Sequence, residues 1–159
     1  MEPQTAYTAG LVSSLGKLAL AHSCAEFYGA VRVYCCENEG CTWEEAEKAT
    51  FGYTHAEAGA KLLRAWRFPE IFALAVEYQG QPENAPDEAR VLLGHLIAAR
   101  YLAASLGPGI GEDAYRVAVH GDFLENLGFT PSIIESALPI VLERAAAHLG
   151  EHLTHGALS

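Results

Sequence analysis

Residues 54–70 read THAEAGAKLLRAWRFPE, and this stretch decides the fold. Thr54 followed three residues later by Glu57 is the capping-box pattern of a helix start. Small and apolar residues then recur along one face: Ala56, Gly59, Ala60 and Leu63. Such a face lets a second helix approach closely. The stretch closes at Phe68-Pro69, because a proline disfavours helical backbone in the residue before it. The pattern predicts a helix at 55–66, with Trp66 buried at its far end.

The remaining sequence is also helical in pattern. Thr42 and Glu45 form a second capping box, and Thr130-Pro131 puts a capping hydroxyl before a proline at the first helical position. Turn signals at 80–82 and 107–109 end two further segments. The predicted helices lie near residues 5–21, 24–36, 43–50, 55–66, 69–79, 86–106, 120–127 and 131–150. We therefore expect one all-α domain over residues 1–150, with 151–159 as a frayed C-terminal tail.

Composition excludes several classes of partner. The chain has 159 residues, half of them apolar, and 20 acidic against 10 basic residues give a formal charge of −10. Phosphate contacts need clustered Lys and Arg, so neither nucleic acid nor an anionic membrane surface is an expected partner. No apolar run reaches the roughly 18 residues of a membrane span, and the N-terminus lacks the basic region of a secretory signal. A cytoplasmic location is expected.

Four cysteines occupy positions 24, 35, 36 and 41. Their spacing contains no CxxC pair, and no histidine lies between the first and the last of them. Adjacent Cys35 and Cys36 would point about 100° apart on a helix, which does not suit one shared ion. The pattern favours reduced thiols over a structural zinc site, and we expect no metal and no cofactor.

Several segments together resemble the HDOD family, the non-catalytic relatives of the HD and HD-GYP metal phosphohydrolases. Residues 54–70 resemble the family's helix of His, small residues and Gly, then Leu-Leu and Trp-x-x-Pro. Residues 9–18, 45–47, 71–78 and 89–107 resemble the segments around it. The resemblance implies an HD-domain-like bundle of about six to eight helices. It also implies truncation, since HDOD domains normally carry a further helical half before the helix that contains Gly10-Leu11.

The same resemblance implies where a metal site would lie. HD enzymes use a His, an adjacent His-Asp pair and a further Asp. By the resemblance, the His-Asp pair corresponds to Ser13-Ser14 in this sequence. A His-His pair that usually closes the helix after the one with Trp-x-x-Pro corresponds to Gln79-Gly80, and the further Asp falls at or beside Arg100. Of the family's ligand positions only His55 keeps its histidine. Hydroxyls, an amide and a cation cannot hold a divalent ion, so Ser13, Ser14, His55, Gln79 and Arg100 are expected to form a vestigial cleft.

We therefore expect a non-catalytic bacterial signal-transduction or protein-interaction module that binds an unknown signalling protein. One alternative is a nucleotide or small-anion sensor that uses the vestigial cleft, and a second is a metal-dependent phosphohydrolase. A basic stripe is formed by three residues at three-residue steps: Lys61, Arg64 and Arg67. This stripe either contacts an anionic ligand or an acidic partner surface, or is simply a solvated helix face. A homodimer is also expected, because apolar side chains on the first helix would otherwise be exposed: Leu11, Leu15 and Leu18.

Overall fold

The computed structural model describes residues 1–23, 25–105 and 120–155, and no β-strand occurs in these three ranges. The helices are α1 (Pro3–Val12), α2 (Leu15–Ser23), α3 (Ala25–Glu37), α4 (Trp43–Phe51), α5 (His55–Ala65), α6 (Glu70–Glu77), α7 (Asp87–Ser105), α8 (Gly121–Asn126) and α9 (Pro131–His155). A short 3₁₀ helix at Pro82–Asn84 precedes α7. The all-α prediction is confirmed.

Both predicted capping boxes are present. In α4 the Thr42 hydroxyl accepts from the Glu45 backbone N–H at 3.2 Å, and the Thr42 N–H donates to Glu45 Oε2 at 2.7 Å. In α5 the Thr54 hydroxyl accepts from the Glu57 N–H at 3.2 Å, and the Thr54 N–H donates to Glu57 Oε2 at 2.8 Å. Each box satisfies two N–H groups that a helix start leaves without intrahelical partners.

The single helix predicted at 5–21 is wrong, because the chain breaks at Ser13-Ser14 into α1 and α2. The Ser13 hydroxyl donates to the Gly10 carbonyl at 2.7 Å, while the Ser13 backbone N–H reaches the same oxygen only at 3.4 Å. A serine that bonds back onto the preceding turn competes with the backbone ladder and bends the helix. The hydroxyl pair at 13 and 14 therefore marks a joint between two short helices.

The centre of the fold is α5, which packs against α2 on one side and α6 on the other. The small-residue face predicted for α5 is buried, as expected, and it includes Gly59 and Ala60. A Cβ at Gly59 would come within 3.1 Å of Val76 and 3.2 Å of the Gly16 backbone. Beside this crossing lies an apolar cluster of Ala60, Leu63, Ala73 and Val76, joined by Val12, Leu15, Phe68 and Phe72. The glycine and small side chains on this face of α5 thus let α2 and α6 pack closely against it.

The prediction that Trp66 is buried is wrong, since its side chain is 58% exposed. The chain leaves α5 through a Schellman turn: the Phe68 N–H donates to the Leu63 carbonyl at 2.9 Å and the Arg67 N–H to the Arg64 carbonyl at 3.0 Å. Arg67 takes the left-handed conformation, with φ 58°. This turn directs Phe68 onto Leu63 and its cluster, so Phe68 supplies the aromatic anchor and Trp66 faces solvent.

The C-terminal helix runs further than predicted. α9 continues to His155 and contains Pro139, whereas the sequence pattern predicted an end at 150. Residues 156–159 of the predicted tail, and the predicted turn at 107–109, lie outside the described residues. In the described part of the chain, no helix combines the length and the apolar character needed to cross a bilayer.

Candidate functional site

His55, the first residue of α5, is the centre of a buried polar network. Its side chain is 1% exposed, and the capping box at Thr54 fixes the backbone that carries it. The ring Nδ1–H donates to Glu47 Oε2 at 2.6 Å, and the His55 backbone N–H donates to the same oxygen at 2.8 Å. A carboxylate on Nδ1 fixes both the orientation and the tautomer of an imidazole.

Glu47, in the middle of α4, is fully buried. While Oε2 accepts both bonds from His55, Oε1 accepts from the Tyr28 hydroxyl at 3.1 Å and from the Trp43 indole N–H at 3.1 Å. The Tyr28 and Trp43 rings also stack, with centroids 6.0 Å apart. Each carboxylate oxygen therefore has two donors, which is the full set that a buried carboxylate needs to offset its lost hydration.

The network continues across the bundle through Arg100. Glu44 Oε1 lies 3.7 Å from His55 Nε2 and 3.8 Å from Arg100 Nη2, and both distances are longer than a hydrogen bond. Arg100 Nη1 donates to Gln79 Oε1 at 2.9 Å. Gln79, itself buried, directs its amide N–H at the Ser13 carbonyl at 3.5 Å. A continuous chain of polar groups thus connects α4, α5, α7, the end of α6 and the α1–α2 joint.

This arrangement brings together most of the residues assigned to the vestigial cleft. His55, Gln79 and Arg100 lie in the network, and Ser13 enters it through its backbone carbonyl, while its hydroxyl bonds to Gly10. Ser14 is exposed at the joint between α1 and α2, and the network among the described residues does not include it.

Three polar residues of this region were not predicted as site residues: Glu44, Glu47 and His120. The sequence contains a pattern that could have identified Glu44 and Glu47. The Thr42 capping box starts α4 at Trp43, and the three-residue step between the two glutamates places both carboxylates on one helix face. The buried Ala46 beside Glu47 marks that face as the inner one. His120 precedes the six-residue α8, where the sequence has no strong periodicity, and only the tertiary structure brings it to Arg100.

A small cavity of about 30 Å³, room for about one water molecule, opens beside Arg100. It is lined by Thr42, Glu44, Gln79, Gly80, Ile97, Arg100 and His120. His120 Nδ1 lies 3.1 Å from Glu83 Oε1, whereas its Nε2 is buried and has no hydrogen-bond partner among the residues that the structure describes. A buried polar atom without a partner is uncommon and calls for a ligand or water. The cavity is therefore a candidate for one polar group of a ligand.

A groove of about 620 Å³ shares Thr42, Glu44 and Gly80 with this cavity. It also runs past Tyr78 and Gln81, and it is within the size range of small-molecule sites. Four carboxylates and one ammonium group line it: Glu44, Glu45, Glu57, Glu77 and Lys48. Lys48 donates to both oxygens of Glu57, at 2.8 and 3.0 Å. The acidic lining makes the groove unfavourable for a polyanion.

The basic stripe predicted on α5 is partly engaged within the fold. Arg64 donates to Glu70 at 2.9 and 2.7 Å and to Glu77 at 2.6 Å. Hydrogen bonds to Glu77 and then Glu70 raise the pKa of Arg64 above its usual value. Lys61 is exposed within α5, and Arg67 is exposed in the turn just after the helix ends. The exposed residues near this end of α5 therefore include Lys61, Trp66 and Arg67, which we call the α5 end surface.

The residues at the HD ligand positions do not fit a divalent metal ion. In the described ranges, no group of three or more His, Cys, Asp or Glu side chains is arranged to hold one. At the cleft itself Arg100 brings a positive charge, Gln79 an amide, and His55 points its Nδ1 at Glu47. Catalytic zinc sites need three protein ligands and one open position, and the side chains at these positions do not supply such a set.

Residues 1–82 match the profile of the HDOD domain, which is just over half of the 159-residue chain, so this chain belongs to the HDOD family. The match covers α1 to α6 and includes Ser13, His55 and Gln79, whereas Arg100 lies beyond it. HDOD domains are associated with signalling and are generally considered non-catalytic. No curated protein and no solved structure matches the chain.

Proposed function

We propose that this chain is a non-catalytic, cytoplasmic signal-transduction module that acts by binding another protein. The observation that carries the proposal is the closed polar network at the former metal position. His55 is directed at Glu47, with Glu44 near its other ring nitrogen. Arg100 bonds to Gln79, and these two residues stand at positions that the family resemblance aligns with further HD ligands. These side chains hold five helical segments together, which is a structural role.

Hydrolysis at this site would need a different set of groups. A metal ion must keep an open position and lower the pKa of a bound water, and a guanidinium in the ligand shell opposes its binding. Displacing Glu47 from His55 would leave a fully buried carboxylate without its strongest donor, at a cost of several kcal/mol. The network therefore supports a degenerate metal site rather than a dormant one.

Metal analysis and a hydrolysis assay test this proposal. The tag-free protein, purified without chelator, is assayed for bound Fe, Mn and Zn and for hydrolysis of nucleotides and cyclic dinucleotides. For the wild-type protein we expect far less than one metal ion per chain and no hydrolysis. We expect the same two results for the double variant Ser13→His, Ser14→Asp. Stoichiometric metal together with hydrolysis that disappears in His55→Ala would overturn the proposal.

The α5 end surface is the candidate contact for a protein partner. Trp and Arg are the residue types most enriched where interfaces gain their binding energy, and here Trp66 and Arg67 are both exposed at one helix end. We expect Trp66→Ala to weaken capture of a cytoplasmic signalling protein at least tenfold while leaving the far-UV circular dichroism unchanged. The matched control is Tyr101→Ala, which removes another exposed aromatic side chain. Equal loss in both variants would contradict a specific role for this surface.

A second candidate function is a sensor for a small ligand. His120 Nε2 favours it, because this atom has no hydrogen-bond partner in the described ranges and His120 lines the same cavity as Arg100. The adjoining groove favours it too. Because carboxylates line the groove, a neutral or cationic ligand fits better than a nucleotide. A thermal-shift screen tests it, since a ligand at about 100 times its Kd adds roughly 2.7 kcal/mol. A true hit should vanish in His120→Leu and persist in His95→Leu, a control histidine that does not line the cavity.

We also propose that the chain self-associates through its first two helices. Tyr7, Leu11 and Leu18 are 70%, 65% and 68% exposed, whereas Leu15, predicted on the same patch, packs against the α5–α6 cluster. An interface there would need to bury more than about 1,000 Å² to persist. Leu18→Glu should shift sedimentation from dimer to monomer, and a wild-type monomer across micromolar concentrations would contradict the proposal. Leu15→Glu would unfold the protein instead.

A further inference from the structure

Two thiols lie in contact where α3 meets α4. Cys35, in the last turn of α3, is 3% exposed and packs with Val31 and Ala46. Cys41, half-buried, immediately precedes the capping residue Thr42. The Cys41 thiol is directed at Cys35, with the two Sγ atoms 3.7 Å apart.

A tight turn brings these two residues together. The Asn38 N–H donates to the Tyr34 carbonyl at 3.0 Å, and the Cys41 N–H donates to the Asn38 carbonyl at 3.2 Å. Gly40 takes a positive φ of 82°, a conformation that glycine adopts without strain. The chain therefore folds back over the last turn of α3, and these local hydrogen bonds place Cys41 opposite Cys35.

We propose that Cys35 and Cys41 form an oxidisable pair that closes to an intramolecular disulfide when the protein meets a peroxide. The partly exposed Cys41 reacts first. Its thiolate attacks one peroxide oxygen, the O–O bond breaks, and a sulfenic acid and water result after proton transfer. The Cys35 sulfur then attacks the sulfenic sulfur, the S–O bond breaks, and a second water leaves. Two thiols are oxidised by two electrons, and one hydrogen peroxide is reduced to two waters.

The geometry suits this closure. A disulfide has an S–S length of about 2.05 Å, so the two sulfurs, now 3.7 Å apart, must approach by about 1.7 Å. Side-chain rotation and a small shift of the turn can supply this change. Cys36, the neighbouring thiol, is exposed and points about 100° away around α3. A bond between Cys35 and Cys36 would need a distorted peptide unit, so position 41 is the better partner.

Closing the pair would act on α4. Cys41 precedes Thr42, whose hydroxyl caps the helix that carries Glu44 and Glu47, and Thr42 and Glu44 line both the cavity and the groove. A covalent bond to α3 would hold this end of α4 in place and stabilise the helix start. Oxidation is therefore expected to rigidify the rim of the groove, a form of regulation that does not depend on the proposed partner.

Peroxide oxidation followed by peptide mapping tests the proposal. The reduced full chain is treated with a small excess of hydrogen peroxide, remaining thiols are alkylated, and the protein is digested without reductant. We expect a mass lower by two hydrogens, a cross-linked peptide joining Cys35 to Cys41, and an unfolding temperature above that of the reduced protein. Cys36→Ser should behave like the wild type, whereas Cys41→Ser should lose the cross-link and the rise in unfolding temperature.

The mapping decides the outcome even if a variant folds poorly, because the cross-link is identified in the wild-type chain. A disulfide that instead joins Cys36 or Cys24 to another cysteine would overturn the assignment. The assignment would also be overturned if Cys35 and Cys41 could still be alkylated after the exposed thiol of Cys36 had been oxidised. A cross-link between two chains in place of the intramolecular one would also count against it.

Discussion

Gly16 of α2 packs directly on the backbone of His55 at the start of α5, so close that a Cβ at position 16 would overlap the His55 carbonyl oxygen and press on the Gly59 N–H. The two helices meet through backbone because both carry glycine at the crossing. This contact sets the position of His55, and through it the geometry of the buried network.

Gly16→Ala should therefore destabilise the protein, although alanine is the better helix former. Forcing a methyl group into a closed contact costs about 1–3 kcal/mol or more, which exceeds the roughly 1 kcal/mol gained in helix propensity. The matched control is Gly10→Ala, an exposed position in α1 where a Cβ would meet nothing within 4 Å, and where stability should rise. Urea unfolding measures both. Equal effects in the two variants would show that the crossing is looser than described.

Glu47→Gln should cost about 1–3 kcal/mol even though the change removes only a charge and adds an amide. Glu47 accepts four hydrogen bonds, and an amide must turn its N–H₂ toward at least one donor: the indole, the phenol or the His55 N–H groups. The control Glu39→Gln lies in an exposed turn and should change stability by less than about 0.5 kcal/mol. If both variants unfold at the same denaturant concentration, the four hydrogen bonds to Glu47 do not stabilise the fold.

The helices of this chain were largely readable from the sequence, since their start signals are local. The capping boxes at Thr42 and Thr54 depend on residues three apart, and both are present as predicted. The break at Ser13-Ser14 was missed because a serine side chain chooses between solvent and the preceding carbonyl only once the surrounding helices are in place.

The candidate site was only half predictable. Position in a family pattern identified His55 and Gln79, but the pattern has no rule for what replaces lost ligands. Glu47 was open to prediction from helix geometry, whereas only the tertiary structure places His120 and Arg100 in the lining of one cavity. The error at Trp66 has the same origin, because a one-residue change in where α5 ends decides which aromatic side chain enters the core.

Phe68→Ala should destabilise the protein far more than Trp66→Ala. Phe68 contacts the α5–α6 cluster and meets Phe72 edge-on, with ring centroids 6.1 Å apart. Removing it should cost about 2–4 kcal/mol, since a cavity is left beside Leu63. Trp66→Ala should cost less than about 1 kcal/mol because most of that ring is already hydrated. Thermal or urea unfolding measures the loss of stability in both variants. A larger loss in Trp66→Ala than in Phe68→Ala would show that Trp66 is the aromatic anchor after all.

Arg67→Gly should stabilise the protein by about 0.5–1 kcal/mol. Arg67 holds a left-handed backbone at φ 58°, which costs a residue with a Cβ about 1–2 kcal/mol, while glycine loses part of this gain through its freer unfolded state. The matched control is Lys61→Gly, an exposed position inside α5, where glycine should cost about 1 kcal/mol. The urea concentration at the unfolding midpoint should rise for Arg67→Gly and fall for Lys61→Gly. If both variants are destabilised, the Schellman turn at Arg67 is refuted.

The pH dependence of stability should contain a contribution from Glu57. Burial is the largest single influence and raises the pKa of Glu57, but hydrogen bonds from Lys48 and the Thr54 backbone outweigh it and leave the pKa below 4.5. A carboxyl whose pKa is lower in the folded state stabilises the fold at pH values above the unfolded pKa. That stability is lost as the pH falls through the folded-state value.

Lys48→Met removes the side-chain donor, so stability should fall less steeply between about pH 5 and pH 3 in this variant than in the wild type. Lys61→Met is the control, because Lys61 acts on Glu57 only through weaker charge attraction and should leave most of the slope intact. Urea unfolding at a series of pH values gives both slopes. Parallel curves for the wild type and Lys48→Met would mean that the Lys48–Glu57 pair does not contribute to acid unfolding.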